Sequence, residues 1–277
     1  MKSAVSPAAF SVDGERFVLH FRPADEGDLG LVKCILRGDL YEPEVVACLK
    51  RILAPDGVLI DGGAHIGYVS LAASRFLRQG EGKVFSFEPF RESCDFLRLN
   101  IEANGKASMI QAYPLALWSS SGGVDLAVPE NCSVSVKRGD ACLTPGVRRV
   151  RVESIDLDSF CCGAGIVPSL IKLDIEGSEH EALRGAARIL SEHRPAVVLE
   201  LNAHHYRTLG MTIEGFLSPL LKTGYGTCYI LSSRPGRIRA FRASDGWGTL
   251  EKSLKDRHLN CLFMPDDARR GAMDRDA

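Results

Sequence analysis

A repeated alternation of short strands and helices, starting at residue 58, constrains the fold of this chain more than any other feature. Residues 58–60, 83–87 and 170–173 are mostly apolar runs of strand length. After a turn, each is followed by a stretch whose apolar residues have helical spacing. Strands that alternate with helices of this length form βαβ units around a mainly parallel sheet. Because α/β folds often use about 250 residues as one domain, the 277 residues predict a single α/β domain.

The segments outside this alternation are predicted as additions to that domain. An edge strand is expected at 17–21, and apolar residues at helical spacing predict a helix at 41–53. Short runs at 124–128, 132–136 and 147–152, set among Gly and Pro, predict antiparallel strands. The predicted parts are an N-terminal addition (1–56), a main domain (57–265), a β insertion within it (119–151) and a frayed tail of alternating charges (266–277).

The composition excludes several classes of protein. With 45% hydrophobic and 25% charged residues, the chain is neither disordered nor fibrous. A net charge of -1 argues against a nucleic-acid groove. Nine cysteines without a C-x-x-C pair argue against a disulfide scaffold and a structural zinc site. No apolar stretch suits a signal peptide or a membrane span. We therefore expect a soluble, cytoplasmic protein whose partner is a small molecule, with no nucleic acid and no membrane; the sequence does not give its oligomeric state.

The glycine-rich turn at 61–67 lies between a predicted strand and a predicted helix, where open α/β sheets bind cofactors. Its glycines would allow close approach of a ligand to the backbone, and Glu88 ends the next strand, where a carboxylate can accept both hydroxyls of a ribose. The alternative is a tight turn beside a surface acid. The position of the turn, its glycines and Glu88 at the end of the next strand together favour a nucleoside cofactor.

The same turn distinguishes between cofactors. A dinucleotide fingerprint needs a glycine at the position of Ala64, whose methyl group would crowd a pyrophosphate. Asp61 would repel phosphate, but it suits an ammonium group. S-adenosylmethionine has an amine, a carboxylate and a ribose, and no phosphate, so the turn favours it over NAD.

Several motifs, in order, resemble those of the FkbM-type methyltransferases, a branch of the S-adenosylmethionine-dependent class I fold. They are found at 58–68, 87–89, 100, 116–117, 155–158, 171–177, 181–186 and 195–200. The Lys-x-Asp-x-Glu-Gly block starting at Lys172 is the most specific of them. One departure is His65, where the family usually carries asparagine.

This resemblance implies a Rossmann-like class I methyltransferase domain with a seven-stranded, mainly parallel sheet and an antiparallel last strand. It also implies methyl transfer to a hydroxyl of a sugar or polyketide-type natural product. It places a pair similar to Tyr41-Glu42 near the cofactor pocket. The predicted cofactor-binding residues are Asp61, Gly62, Gly63, Ala64, Gly67, Glu88, Ala116 and Glu176.

A third, broken strand region is predicted at 109–112 and 115–118, which makes the run at 170–173 the fourth strand. Asp174 follows this fourth strand and is our first candidate for a base that activates, or a group that orients, the acceptor hydroxyl. Glu176 would hold the loop or face the cofactor's amine. Both could instead only stabilise the next helix through its dipole. Lys172, one strand step away, is a candidate salt-bridge partner. Ser178 and Glu181 predict a capping box at the start of one helix that continues to residue 190.

Polar residues after the fifth predicted strand, at 196–201, give two further hypotheses. His204 or His205 could be the general base, because histidine titrates near pH 7. Asp174, Glu200 and Asn202 could form an oxygen-rich Mg²⁺ site. An ordinary polar loop with solvated histidines is the third interpretation.

The glycine-rich turn, the polar strand ends and the family resemblance together predict an S-adenosylmethionine-dependent O-methyltransferase. Two rival interpretations are a non-catalytic protein that binds a nucleoside cofactor and an NAD-dependent oxidoreductase.

Overall fold

The computed structural model describes residues 5–22, 29–129, 147–232, 239–242, 246–254 and 258–267. Within these ranges the chain forms strands that belong to three sheets and helices that cover both faces of the largest sheet. The strands are β1 (Ser6–Val12), β2 (Glu15–Phe21), β3 (Val58–Gly62), β4 (Lys83–Phe87), β5 (Ile110–Tyr113), β6 (Ala116–Leu117), β7 (Gly122–Pro129), β8 (Val147–Ile155), β9 (Leu170–Leu173), β10 (Ala196–Asn202), β11 (Thr227–Ile230), β12 (Arg239–Arg242) and β13 (His258–Met264). The helices are α1 (Leu29–Leu36), α2 (Pro43–Ile52), α3 (Tyr68–Ser74), α4 (Arg91–Ala103), α5 (Leu157–Ala164), α6 (Glu179–Arg184), α7 (Ala187–Glu192), α8 (Ala203–Thr208), α9 (Ile213–Lys222) and α10 (Gly248–Leu254).

The main sheet has eight described strands in the order β12-β11-β13-β10-β9-β3-β4-β5. Strands β5, β4, β3, β9 and β10 are parallel, and β13 pairs antiparallel with β10. The predicted α/β class and the antiparallel last strand are therefore confirmed. The predicted count of seven strands is one too low, because β12 pairs antiparallel with β11 and adds an edge strand.

The strand order places the ligand-binding crevice. From β3 the chain moves outward to β4 and β5, and then returns to β9 on the other side of β3. Ligands of open α/β sheets bind beyond the carboxyl ends of the strands at such a reversal. The loops after β3, β4 and β9 are therefore expected to line the ligand-binding crevice.

Alternating side chains divide the core into two clusters, one on each face of the main sheet. Leu59 and Val84 point into a cluster with α2, α3 and α4, whereas Ile60 and Phe85 point into a cluster with α5 to α9. Both clusters are built from fully buried aliphatic and aromatic side chains, so the sheet is apolar on both faces, as parallel sheets generally are. This packing fixes the strand ends that carry the site.

The N-terminal strand pairs differently from the prediction. Strand β2, predicted as an edge strand, pairs with β1 in a separate hairpin whose turn is Asp13-Gly14, both at positive φ. Asp-Gly is a strong hairpin signal that the sequence analysis did not use. The amides of Asn100 on α4 and of Asn104, the C-cap of that helix, bond to the backbone of β2 at 2.6–3.0 Å. Asn100 also donates to the Ile66 carbonyl at 2.8 Å. The hairpin is therefore tied to the turn after β3.

Two other predicted segments differ in detail. Ala116 and Leu117 belong to a small sheet of order β6-β8-β7, not to the main sheet; the predicted strand at 132–136 lies outside the described residues. The helix predicted after residue 178 is two short helices, α6 and α7. Gly185 lies between them, and a Cβ there would overlap the Trp118 carbonyl oxygen. The tail begins with two ordered contacts, Asp266 accepting from the Gly226 N–H at 2.8 Å and Asp267 pairing with Arg194. The rest of the predicted frayed tail, from residue 268, lies outside the described residues.

In the part of the chain that the structure describes, no helix is both long enough and apolar enough to cross a bilayer.

Candidate functional site

A cavity of about 180 Å³ lies beyond the carboxyl ends of β3, β4 and β9. It is closed on one side by residues that precede or begin the first helices of the chain. Its lining includes Leu31, Tyr41, Glu42, Gly63, Ala64, His65, Tyr68, Glu88, Pro89, Lys172, Asp174, Ile175 and Glu176. Sequence analysis had predicted five of these, Gly63, Ala64, Glu88, Asp174 and Glu176, for the site, and the structure brings them to one cavity.

The glycines of the first loop are required by packing within the protein. Gly63 has a φ of 74°, and a Cβ built there would overlap the carbonyl oxygen of Asp174. A Cβ on Gly62 would lie 2.8 Å from methyl groups of Leu117 and Leu173, and one on Gly67 would lie 2.7 Å from Leu97. Gly62 and Gly67 are not part of the cavity lining. The structure thus gives each of these glycines a packing reason within the protein, and close approach of a cofactor to this loop remains a prediction.

The backbone N–H groups of the first loop are directed into the protein. Gly63 and Ala64 both donate to the Phe87 carbonyl at 3.0 Å, and His65 donates to Glu88 Oε2 at 2.9 Å. A phosphate at this loop would need such N–H groups as its donors. His65 has a φ of 50°, a left-handed conformation that asparagine and histidine adopt more readily than most residues. The histidine therefore fits the backbone that the loop requires.

Glu88 is a buried carboxylate in the cavity wall, with an exposed fraction of 6%. Its Oε2 accepts from His65 and its Oε1 accepts from the Phe90 N–H, each at 2.9 Å. Burial raises the pKa of Glu88, whereas His65 and the two N–H groups act to lower it. Each carboxylate oxygen has two lone pairs, so both keep acceptor capacity for a ligand.

A buried lysine joins two of the loops. Lys172 on β9 lies 3.5 Å from Asp61 Oδ1 and 3.3 Å from Asp174 Oδ2, and its Nζ donates to the Gly63 carbonyl at 3.4 Å. Burial alone would lower the pKa of Lys172, but Asp174, Asp61 and Glu42 raise it above its usual value. Lys172 is thus the salt-bridge partner that its position had suggested.

Asp61 lies behind this lysine and does not line the cavity. It is fully buried and accepts a hydrogen bond from Ser70, whose hydroxyl also contacts Ser86. The predicted contact between Asp61 and the cofactor's ammonium remains a prediction. In the structure, Asp61 is the buried counter-ion of Lys172.

The loop after β9 is held by Glu179, which sequence analysis missed. Glu179 Oε1 accepts from the N–H groups of Ile175 at 3.0 Å and Gly177 at 3.3 Å. The predicted capping box is wrong: Ser178 makes no side-chain cap bond, and Glu181 pairs with Arg184 instead. Burial raises the pKa of Glu179 to about 7.

Glu42 is the least expected residue of the cavity wall. It has a φ of 45° directly before Pro43, and its carboxylate contacts the Asn260 amide at 3.4 Å. Burial and the charge of Asp174 raise the pKa of Glu42 to about 7, against the opposing effect of Lys172. Only the resemblance placed this residue near the pocket; no local pattern in the sequence assigns it a charge state.

A model of the methyltransferase FkbM domain matches residues 61–226, which is more than half of the chain. The chain belongs to the FkbM methyltransferase family. The matched segment begins at the first loop of the cavity and extends beyond α9 into the residues just before β11.

Two solved structures with similar folds are distant from this chain in sequence. Methyltransferase FkbM from Methylobacillus flagellatus KT is 18% identical, with a TM-score of 0.48, and the match covers 76% of this chain and 44% of that one. An S-adenosylmethionine-dependent O-methyltransferase from Thermotoga maritima is 11% identical, with a TM-score of 0.44 and coverage of 97% and 79%. The chain therefore spans less than half the length of the first of these proteins. A search of curated proteins finds no match.

A narrow apolar cleft adjoins the cavity of this FkbM-family chain. Ala116, predicted to bind the cofactor, lines this cleft together with Trp118, Phe87 and Leu115. Gly63, Pro89 and Ile175 line both spaces, so the cleft continues the cavity past Glu88. Its walls are apolar and partly aromatic, which suits a flat ring.

The segment after β10 lies beside the cavity but does not line it. Asn202 Oδ1 accepts from the His204 N–H at 3.0 Å and caps α8, and His204 is exposed. His205 is nearly buried, with its Nε2 3.5 Å from Glu176 Oε2. The structure thus brings His205, and not His204, to the loop after β9; a catalytic role for either remains a prediction.

The structure does not support the predicted Mg²⁺ site. The side-chain oxygen of Asn202 serves as a helix cap, and Glu200 is a largely buried acid whose pKa is raised to about 9 by burial and by Asp174 and Glu176. Across the described ranges, no group of three or more His, Cys, Asp or Glu side chains could hold a metal ion.

Proposed function

We propose that this chain is an S-adenosylmethionine-dependent O-methyltransferase that acts on a hydroxyl of a small molecule of the sugar or polyketide type. Membership in the FkbM methyltransferase family supports the reaction class. The observation that carries the cofactor assignment is the first loop, which turns its N–H groups toward β4 beside a buried carboxylate.

The cavity residues fit a nucleoside cofactor without phosphate. The N–H groups of Gly63, Ala64 and His65 are already engaged, which disfavours the pyrophosphate of NAD. Glu88 keeps acceptor capacity for the two ribose hydroxyls, and the cleft at Ala116 and Trp118 would take adenine. When bound, the cofactor would supply an electrophilic methyl group.

Asp174 is the residue of the cavity best placed to receive the acceptor. Its side chain is about one quarter exposed, at 27%, and it ends the strand next to the first loop. Lys172 fixes the position of the carboxylate at 3.3 Å. A hydroxyl is a weak nucleophile at neutral pH, so an oriented carboxylate that accepts its proton would contribute roughly 10²–10⁴-fold to the rate. His205 is the second candidate for this role, because it contacts Glu176 at the cavity rim.

Calorimetric titration with S-adenosylmethionine, S-adenosylhomocysteine and NAD tests the cofactor assignment. We expect one-site binding of the first two ligands. Glu88→Ala should weaken that binding by about 2–3 kcal/mol, as expected for hydrogen bonds to a charged group. Glu92→Ala is the matched control, because Glu92 is half exposed and pairs only with Arg22 among its described contacts.

NAD binding tighter than that of S-adenosylmethionine would contradict the proposal and revive the oxidoreductase. Unchanged affinity in a folded Glu88→Ala protein would remove Glu88 from the site. Binding without formation of S-adenosylhomocysteine, across a broad panel of hydroxyl compounds, would favour a binding protein over an enzyme.

A further inference from the structure

Glu42 occupies a position that its local structure does not explain. It lies at the N-cap of α2, where an Asp, Asn, Ser or Thr would normally bond to the helix backbone, yet its side chain makes no cap hydrogen bond. It has φ 45° and ψ 56°, a conformation that is costly for a residue other than glycine and is further disfavoured before proline. Strain of this kind persists where the surroundings hold the residue for another reason. The reason available here is that Glu42 lines the cavity.

The charges around the cavity do not balance. Among the described residues that line it, the acids Glu42, Glu88, Asp174 and Glu176 face one lysine. Lys172 is already engaged with Asp61, Asp174 and the Gly63 carbonyl. Glu42 therefore shares the cavity with three other carboxylates, and the one lysine that acts on it is bonded to other groups. A cationic group on the ligand would reduce this excess of negative charge.

The amide of Asn260 fixes where the Glu42 carboxylate lies. Asn260 on β13 is buried, and its Nδ2 donates to Glu42 Oε1 at 3.4 Å and to Glu44 Oε1 at 3.3 Å. Glu44 does not line the cavity, so of the two acids that share this amide only Glu42 can meet a ligand. The titratable and charged groups that act on Glu42 are Asp174, Lys172, Glu44, Tyr41, Tyr68 and Glu200.

We propose that Glu42 is the counter-ion of the primary ammonium at the amino-acid end of the cofactor, and that binding of this ammonium expels a proton from Glu42. This inference rests on the proposed function. The contact with the ammonium, predicted from the sequence for Asp61, is thus assigned to Glu42. Asp61 lies behind Lys172, whereas Glu42 lines the cavity and can meet the ligand.

The direction of the proton movement follows from the environment of Glu42. Burial and Asp174 raise its pKa to about 7, so near pH 7 the free protein carries about half a proton on this carboxyl. A cation beside the carboxylate favours the charged form and lowers this pKa. Binding then releases that fraction of a proton near pH 7. The affinity falls as the pH drops below 7, because a proton must be displaced.

Two nucleosides distinguish the ammonium from the rest of the cofactor. S-adenosylhomocysteine carries the amino-acid end, whereas 5′-methylthioadenosine has the same adenosine and thioether without it. We would titrate the full chain with each at pH 7 and pH 8.5, in buffers of different ionisation enthalpy, which reports the protons released. S-adenosylhomocysteine should release about half a proton at pH 7 and almost none at pH 8.5. 5′-Methylthioadenosine should release none at either pH.

Variants at the shared amide provide the matched comparison. Glu42→Gln should weaken S-adenosylhomocysteine about 10- to 100-fold, the effect of losing a charge-assisted contact, and abolish the proton release. Its affinity for 5′-methylthioadenosine should stay within about twofold. Glu44→Gln, which changes the other acid at the Asn260 amide, should leave both affinities within about twofold. Because Glu44 is the smallest of the effects that raise the pKa of Glu42, the proton release should persist in this variant and fall only slightly.

The outcomes separate this inference from the proposed function. Binding of both nucleosides without proton release by the wild-type protein overturns the role of Glu42 and leaves the cofactor assignment standing. If Glu42→Gln loses the same affinity for both nucleosides, or if proton release persists in that variant, the role of Glu42 is also overturned and the cofactor assignment still stands. If neither nucleoside binds the folded wild-type protein, the proposed function fails and this inference fails with it.

Discussion

The two halves of the cavity wall are built in different ways. The first loop, residues 61–67, is a contiguous segment whose glycines are fixed by steric contacts and whose described N–H groups bond within the chain. The opposite wall is a cluster of charges from separate elements, including Glu42, Lys172 and Asp174, and it contains groups with raised pKa values. The first half provides shape, and the second provides charge whose balance is left to a ligand. A change of shape in the first half therefore costs stability, whereas a change of charge in the second half affects ligand binding and, at the buried Lys172, stability as well.

Gly63→Ala is the substitution that should damage the steric half most. A Cβ there overlaps the backbone carbonyl of Asp174, and backbone atoms cannot move aside as a flexible side chain can. We expect a loss of about 4 kcal/mol or more in the free energy of unfolding, measured by denaturant titration. Gly80→Ala is the matched control, because Gly80 has a φ of 91° with nothing within 4 Å of its added Cβ.

The control should lose only about 1 kcal/mol, the cost of the positive φ. Equal losses in the two variants would show that φ alone matters, and that the two loops do not need the close contact seen between Gly63 and Asp174.

Lys172→Met should damage the charged half, with a somewhat smaller effect. The substitution keeps the length of the side chain but leaves Asp61 buried without its counter-ion, a situation that typically costs 3–5 kcal/mol. Lys50→Met is the comparison, because Lys50 pairs with Asp13 at the surface, where such pairs contribute about 0–1 kcal/mol.

The double variant Asp61→Asn with Lys172→Met tests the cause. If the buried pair is responsible, this protein should be more stable than Lys172→Met alone. A double variant that is less stable than the single one would mean that Lys172 acts mainly through Asp174 and the Gly63 carbonyl.

The difference between the first loop and the charged wall also explains which parts of the site the sequence could predict. The strand–turn–helix alternation, the first loop and Glu88 depend on residues close together in the chain, and their types and order are visible in the sequence. The grouping of Glu42 with Lys172 and Asn260 depends on how β9 and β13 pack beside the start of α2, which no local pattern encodes.

The remaining wrong predictions are the capping box, the metal role of Asn202 and the number of strands, and the sequence alone could not decide any of them. Glu179 and Glu181 are both glutamates and lie two residues apart, so a spacing rule selected the one that pairs with Arg184 and missed the one that holds the loop. Asn202 could equally have been a metal ligand or a cap, and only the position of the His204 N–H decides between them. The extra strand β12 has four residues and no strong apolar pattern, so it was not predicted.

Glu179→Gln gives the smallest effect on the free energy of unfolding, and the size of this effect depends on pH. Burial raises the pKa of Glu179 from 4.5 to about 7, so between these values the folded state holds a proton that the unfolded state has lost. The free energy of unfolding therefore falls as the pH rises through this window, by at most roughly 1.4 kcal/mol per pH unit for this group. Glutamine keeps an oxygen for the N–H groups of Ile175 and Gly177 but cannot ionise, so the variant should match the wild type at pH 5 and be about 1–2 kcal/mol more stable at pH 8.

Glu179→Ala separates charge from hydrogen bonding at this site. It removes the acceptor of both N–H groups, and because the Ile175 bond is buried we expect a loss of about 1–3 kcal/mol at pH 5 as well as at pH 8. Thermal unfolding of the three proteins at the two pH values gives the comparison. If glutamine is as damaging as alanine at pH 8, the ionised form of Glu179 is what holds the loop, and this segment belongs with the charged half of the wall. If only alanine is damaging, the loop is held by hydrogen-bond geometry, and it belongs with the steric half although an acid forms it.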